Sequence, residues 1–256
     1  MTAKGKIILL TVGLLGAGAL AFALNIKTMF YHSDVPVKLK ADKEIVYDTV
    51  LLKKFTTLLQ TLDFNKSNFS YAGRFNITDG KDSSANVRDL PFLFCRTGKV
   101  FYSKVGNNEV VNEDGVNIYI ENDNKKVVVS KEEFRLNVAI TNLKQVAEKA
   151  RSEKYELVRL PNGHTEKLSL LNEHHVSCKE LSVTYDTLTQ KLNSVLLRYS
   201  DIADPLNKKR DRKVEIDVSQ VEATARKHQG VKDIVKESEG KFTLLPKYSD
   251  YELITL

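Results

Sequence analysis

Apolar and polar positions alternate most cleanly from Asn68 to Asp79. Phe69, Tyr71, Gly73, Phe75 and Ile77 share one face, and Ser70, Ala72, Arg74, Asn76 and Thr78 share the other. A period of two over this length predicts a strand with one face on a core and one in water. Further strand segments follow at residues 91–96, 99–105, 109–112, 116–121 and 125–129. They are separated by turn signals at Asp79-Gly80, Thr97-Gly98, Gly106-Asn107-Asn108, Asp114-Gly115 and Asn122-Asp123-Asn124. Connections this short predict antiparallel neighbours, because parallel pairing needs a long crossover. A meander this long is expected to curl.

Two stretches change the period. From Asp42, a plausible N-cap, the residues Tyr47, Leu51, Phe55, Leu58, Leu59 and Leu62 recur at three and four and predict an amphipathic helix ending near Asp63. Ser130-Lys131-Glu132-Glu133 is a capping box, and Leu136, Ala139, Ile140, Leu143, Val146, Ala147 and Ala150 form a helical stripe reaching about Ser152. A helix inserted among strands is expected to cover one face of their sheet. Strands resume at residues 155–160, 165–171 and 175–179. Alternating runs then centre on Val183 and Tyr185, on Val195 and Leu197, and on Val214 and Ile216. In the tail, residues 221–228 and 231–237 read as short helices, and 242–245 and 251–256 as short strands.

The first 26 residues alter the picture. Lys4 and Lys6 precede an apolar run over residues 7–26, which reads as a signal peptide cleaved after Ala23 or as a transmembrane anchor. Either way the remainder is exported, with both lysines left on the cytoplasmic side. Residues 27–41 form a linker containing Pro36, and 42–256 a single globular domain. The chain has 256 residues, 42% of them apolar, which is enough for a full core. The net charge of +6 falls to +4 without Lys4 and Lys6 and is not concentrated on a face, which excludes a nucleic-acid partner. The one dense basic run, Lys208-Lys209-Arg210-Asp211-Arg212-Lys213, lies between strand patterns. It reads as a solvated hairpin loop, with a phosphate or lipid-headgroup contact as the alternative. Cys95 and Cys178 pair as one disulfide or stay as buried thiols; sequence separation does not decide.

Candidate chemistry is sparse. His174-His175, with His164 and Cys178 nearby, suggests a metal, but adjacent strand residues point to opposite faces. Cys178 and His175 could form a nucleophile and base, yet no orienting group is identifiable. Asp79, Asp82 and Asp89 do not have the spacing of a calcium loop. No catalytic residue, metal or cofactor is therefore assigned. What remains is shape. Phe69, Tyr71, Phe75, Phe92, Phe94, Tyr102, Ile118, Ile120, Val183 and Tyr185 lie on the half-buried faces of the strands. They either pack as an ordinary core against the helices or line an apolar cavity for an acyl chain.

The order of elements resembles the LolA/LolB/RseB-like periplasmic proteins, whose fold is an incomplete β-barrel covered by helices. Asp114-Gly115-Val116-Asn117-Ile118-Tyr119-Ile120 leading to Lys126-Val127-Val128-Val129 is similar to the early hairpin of that family. Leu181-Ser182-Val183-Thr184-Tyr185-Asp186 leading to Lys191-Leu192-Asn193-Ser194-Val195 is similar to its later one. The strand at residues 91–96 lacks the family's basic-Pro pattern, and the tail after Gln220 has no counterpart. The expected fold is thus mainly β (α+β): a single curved antiparallel sheet or incomplete barrel, with helices covering the concave face. The resemblance implies a non-enzymatic periplasmic binder of lipid or lipoprotein acyl chains. The alternative is a membrane-anchored structural or interaction subunit of a cell-envelope assembly or secretion machine, held by residues 7–26 and partnered by another envelope protein.

Overall fold

A computed structural model describes residues 45–64, 66–131, 149–222 and 228–256. The N-terminal run, the linker, Asp42 and most of the helix expected after Ser130 lie outside the described residues. Among the described residues, no helix is long and apolar enough to cross a membrane.

The described chain is mostly strand. Helix α1, Thr49–Gln60, comes first. Six strands follow: β1 (Asn68–Asp79), β2 (Val87–Thr97), β3 (Val100–Val105), β4 (Asn108–Glu113), β5 (Val116–Glu121) and β6 (Lys126–Ser130). Five more form the second run: β7 (Glu156–Asn162), β8 (Thr165–Leu171), β9 (Cys178–Asp186), β10 (Leu192–Tyr199) and β11 (Arg212–Glu222). The tail supplies β12 (Val235–Ser238), β13 (Lys241–Leu244) and β14 (Glu252–Thr255).

Twelve strands make one open sheet in the order β14-β6-β5-β4-β3-β2-β1-β11-β10-β9-β8-β7, and β12 pairs only with β13. The two meanders meet where β1 pairs antiparallel with β11, from Ser70 opposite Glu222 to Asp79 opposite Arg212. The strand with the cleanest alternation is therefore central to the sheet. Gly73 sits at the register shift of this pair, between Ala72 and Gly73. A Cβ there would stand 1.9 Å from the Asp217 carbonyl oxygen and 2.8 Å from the Phe92 ring. Gly73→Ala is expected to destabilise the protein by about 1–3 kcal/mol through overpacking, read from urea midpoints at unchanged slope. A neutral result would contradict this packing.

The sheet departs from expectation in direction and cover. It is mixed rather than wholly antiparallel, because β14 runs parallel to β6. Between Ser130 and Glu252 the chain runs through β7–β13, a connection far longer than a hairpin, which permits parallel pairing. Residues 231–237, expected as helix, form a single 3-10 turn at Val231–Asp233 and then β12. Helix α1 begins later than expected, capped by Asp48, whose carboxylate accepts from Val50 N at 2.9 Å and Leu51 N at 3.0 Å. Of the second expected helix only residues 149–152 are described, and they are helical.

Two separate cores result. Helix α1 buries Leu52, Phe55, Leu58 and Leu59 against one sheet face, together with side chains from β1, β2, β3 and β8–β11. The other face is buried over β2–β6 instead. There Cys95, Tyr102, Val111, Ile118 and Val129 form one row across the strands. Ile234, Val235, Phe242 and Tyr248 of the tail cover this row. β2 serves both cores, since Phe92 and Phe94 point to the first and Cys95 to the second.

Candidate functional site

The ten apolar candidates do not form one surface. Phe69, Tyr71, Phe75, Phe92, Phe94, Val183 and Tyr185 belong to the core under α1, whereas Tyr102, Ile118 and Ile120 belong to the core under the tail. All are closed, with exposures between 0% and 7%. Phe69 and Tyr71 stack at 4.6 Å, with Phe64 edge-on to both. Phe92 lies 5.0 Å from Phe94 and 4.6 Å from Phe75. These separations are those of packed aromatic pairs.

The three tyrosines are also held at their hydroxyls. Tyr71 donates to the Asp63 carbonyl oxygen at 2.9 Å, and Tyr102 to Glu109 Oε2 at 2.8 Å. Tyr185 donates to Glu166, which is 2% exposed and also accepts from Arg159 Nε at 2.6 Å. Burial and the neighbouring carboxylate push the Tyr185 hydroxyl up to about 12. A side chain fixed at ring and hydroxyl is poorly suited to reshape around a ligand.

The polar groups gather where the β8–β9 and β10–β11 loops meet. Lys179 sits at the register shift that sets Arg198 opposite Glu180 and Tyr199 opposite Cys178. It is fully buried, with Nζ 2.6 Å from Asp211 Oδ1. Asp211 Oδ2 lies 3.1 Å from a terminal nitrogen of Arg198, and Arg198 Nε lies 3.2 Å from Glu180 Oε2. Arg198 also donates to both oxygens of Glu173, and Lys167 reaches Glu180 at 2.7 Å. Charges taken out of water require partners of this kind. Each charge here is answered by another, so the cluster stiffens this end of the sheet.

Glu173 marks the cluster in acid. Hydrogen bonds from Arg198, working against burial and helped by Lys208, hold its carboxyl at about 2, below the ordinary 4.5. A carboxylate depressed in the folded state adds stability that is fully present above its unfolded value and is lost as pH falls toward its folded value. Unfolding free energy is expected to decline between about pH 4.5 and pH 2. Glu173→Gln should flatten part of that decline, and parallel curves for the two proteins would contradict the assignment.

His175 does have an orienting group that its sequence neighbours did not reveal. Its Nε2 lies 2.7 Å from Glu153 Oε2. Nδ1, however, accepts from Cys178 N at 3.1 Å and Ser177 N at 3.2 Å, so the ring serves the loop backbone. The Cys178 thiol donates to the Glu180 carbonyl oxygen, and burial pushes it up to about 12. A thiol so shifted is a poor nucleophile. Both cysteines are free and buried, in different cores. Native protein is therefore expected to resist a thiol reagent at both positions until unfolded, and rapid labelling of either one would contradict this.

The other metal candidates do not converge. His164 and His174 are exposed, and Asp79 and Asp82 cap their own turns through Lys81 N, Asp82 N and Ser84 N. Among the described residues no group of three His, Cys, Asp or Glu side chains could hold a metal. The buried charges were the residues that motif reasoning missed. Their one sequence signal was Lys179 itself, in phase along the sequence with the core residues Leu181, Val183 and Tyr185, although the register shift puts Cys178 in that core instead.

No family model matches the chain, and no curated protein matches it. Among solved structures, it is similar to an uncharacterized conserved protein from Thermus thermophilus. The identity is 11%, 81% of this chain and 98% of that chain are covered, and the TM-score is 0.35.

Proposed function

We propose that this protein is a non-enzymatic interaction subunit of a cell-envelope assembly, displayed on the outer side of a membrane by residues 7–26. The observation that carries this reading is the closure of both apolar faces: each residue nominated for an acyl cavity is at most 7% exposed. A lipid carrier must offer apolar surface to its cargo. These ten residues instead offer it to one another, to α1 and to the tail. What the described sheet leaves for contact is polar: its two edge strands, its end loops and the solvent face of β1 and β11, where Arg74 and Glu215 are exposed. The lipoprotein-carrier role implied by the LolA/LolB/RseB resemblance is the competing reading, and it requires an unfilled apolar cavity of ligand size.

The two readings separate in the host. After an alkaline wash of isolated membranes, the full-length chain is expected in the pellet, with residues 7–26 intact by mass. Mild cross-linking before the wash should trap it in a defined larger complex. Recovery in the soluble fraction as a processed monomer starting near Leu24 would overturn the proposal.

A further inference from the structure

The loop between β10 and β11 exposes two large aliphatic side chains, Ile202 at 87% and Leu206 at 70%. Asp201 and Asp211 are turned inward, with side chains 9% and 1% exposed, and pair with Arg210 and Lys179 respectively. Outward stand Lys208, with a side chain 63% exposed and 3.1 Å from Glu173, the exposed Lys209 and Lys213, and one carboxylate, Asp204, with a side chain 44% exposed. Lys81 of the β1–β2 loop, with a side chain 57% exposed, stands beside them and pairs with Asp201 at 3.8 Å.

The loop is also stiff. Gly80 N donates to the Asp211 carbonyl oxygen at 3.1 Å, and a Cβ at Gly80 would stand 2.1 Å from the Lys209 carbonyl oxygen. Exposed apolar side chains on a held loop with a basic rim match an anionic bilayer surface, where aliphatic tips enter the acyl boundary and ammonium groups meet headgroups.

The chain's entry lies at the same end. Tyr47, just before α1, donates to the Tyr155 carbonyl oxygen at 2.5 Å, and Tyr155 donates to the Cys178 carbonyl oxygen. Next to Cys178, Ser177 accepts from Ser200 N at 2.8 Å, where the loop begins. Tyr47 and the start of α1 thus lie on the side of the domain that carries Ile202 and Leu206. We infer that this loop docks on an anionic lipid surface and holds the domain end-on against the membrane. This inference rests on the anchored reading only for orientation.

The chain contains no tryptophan, so a single introduced one reports without background. Full-length Ile202→Trp protein is reconstituted into vesicles of phosphatidylcholine alone or with a minority of phosphatidylglycerol, each containing brominated acyl chains. With phosphatidylglycerol, emission is expected to shift to the blue and be quenched. In phosphatidylcholine alone it should match emission in water. Adding Lys208→Glu and Lys209→Glu should abolish the shift. Leu188→Trp, on the β9–β10 turn at the far end of the sheet and 73% exposed in the parent, should stay unquenched. Quenching that is equal in both vesicles, or absent from both while the chain floats with them, overturns the loop assignment and leaves the anchor standing. A blue shift seen only in host membranes and not in pure lipid assigns the loop to a protein partner and also overturns it. A chain that floats with neither vesicle overturns both readings.

Discussion

Asp211→Asn is expected to be among the most damaging single changes in this protein, lowering stability by about 3–5 kcal/mol. Asp211 is 4% exposed and is the one carboxylate within reach of Lys179, itself fully buried, among the contacts of the described residues. Neutralising it leaves an ammonium group without water or a counter-charge, and also removes one of the acceptors of Arg198. Lys179→Met should be milder, because Arg198 still neutralises Asp211 from 3.1 Å. The surface pair Arg74–Asp89, with side chains 63% and 70% exposed, supplies the control: Asp89→Asn should be nearly silent. Denaturant melts of the three variants check the order. Equal losses from Asp211→Asn and Asp89→Asn would contradict the buried network.

Phe94→Ala should rank beside it, at about 3–5 kcal/mol, because the ring is 2% exposed and wedged among Phe64, Phe75 and Phe92. Ile118→Ala in the other core should remove about 2–5 kcal/mol. The informative quantity is their sum. The two side chains lie on opposite faces and share no core, so the double variant should be additive within about 0.5 kcal/mol. A large coupling between them would mean that the ten candidates surround one common space after all.

The same two residues show where sequence reasoning stopped. Alternation placed Phe94 and Ile118 correctly as inward positions on their strands, and β1 and β5 have the bounds that the pattern predicted. Alternation gives a period but not a sign. It cannot say which of two sheet faces an inward residue looks toward when no shared strand links the runs. That was decided by the tail, whose Ile234, Val235 and Phe242 cover the far face. The tail's own direction was hidden too, since a short strand reads alike whether it joins parallel or antiparallel. At α1 the cap is Asp48, where the sequence pattern had suggested Asp42. Tyr47 carries the helical stripe yet precedes the helix, buried by its hydroxyl contact with Tyr155 rather than by helical periodicity. The charged end of the sheet was not read from the sequence, although Lys179, in phase with apolar strand positions, carried the signal, because a buried lysine requires a partner. The identity of that partner, 32 residues away, depended on the β10–β11 connection.

The central claim is that the ten nominated apolar side chains are filled in by the protein itself and leave no room for an acyl ligand. Native mass spectrometry of protein extracted gently from its own host tests this most directly. The expected spectrum shows the chain with residues 7–26 retained, associated with another envelope protein, and with no stoichiometric acyl ligand. A processed monomer carrying one acyl chain or lipoprotein per molecule, released only on unfolding, would contradict it.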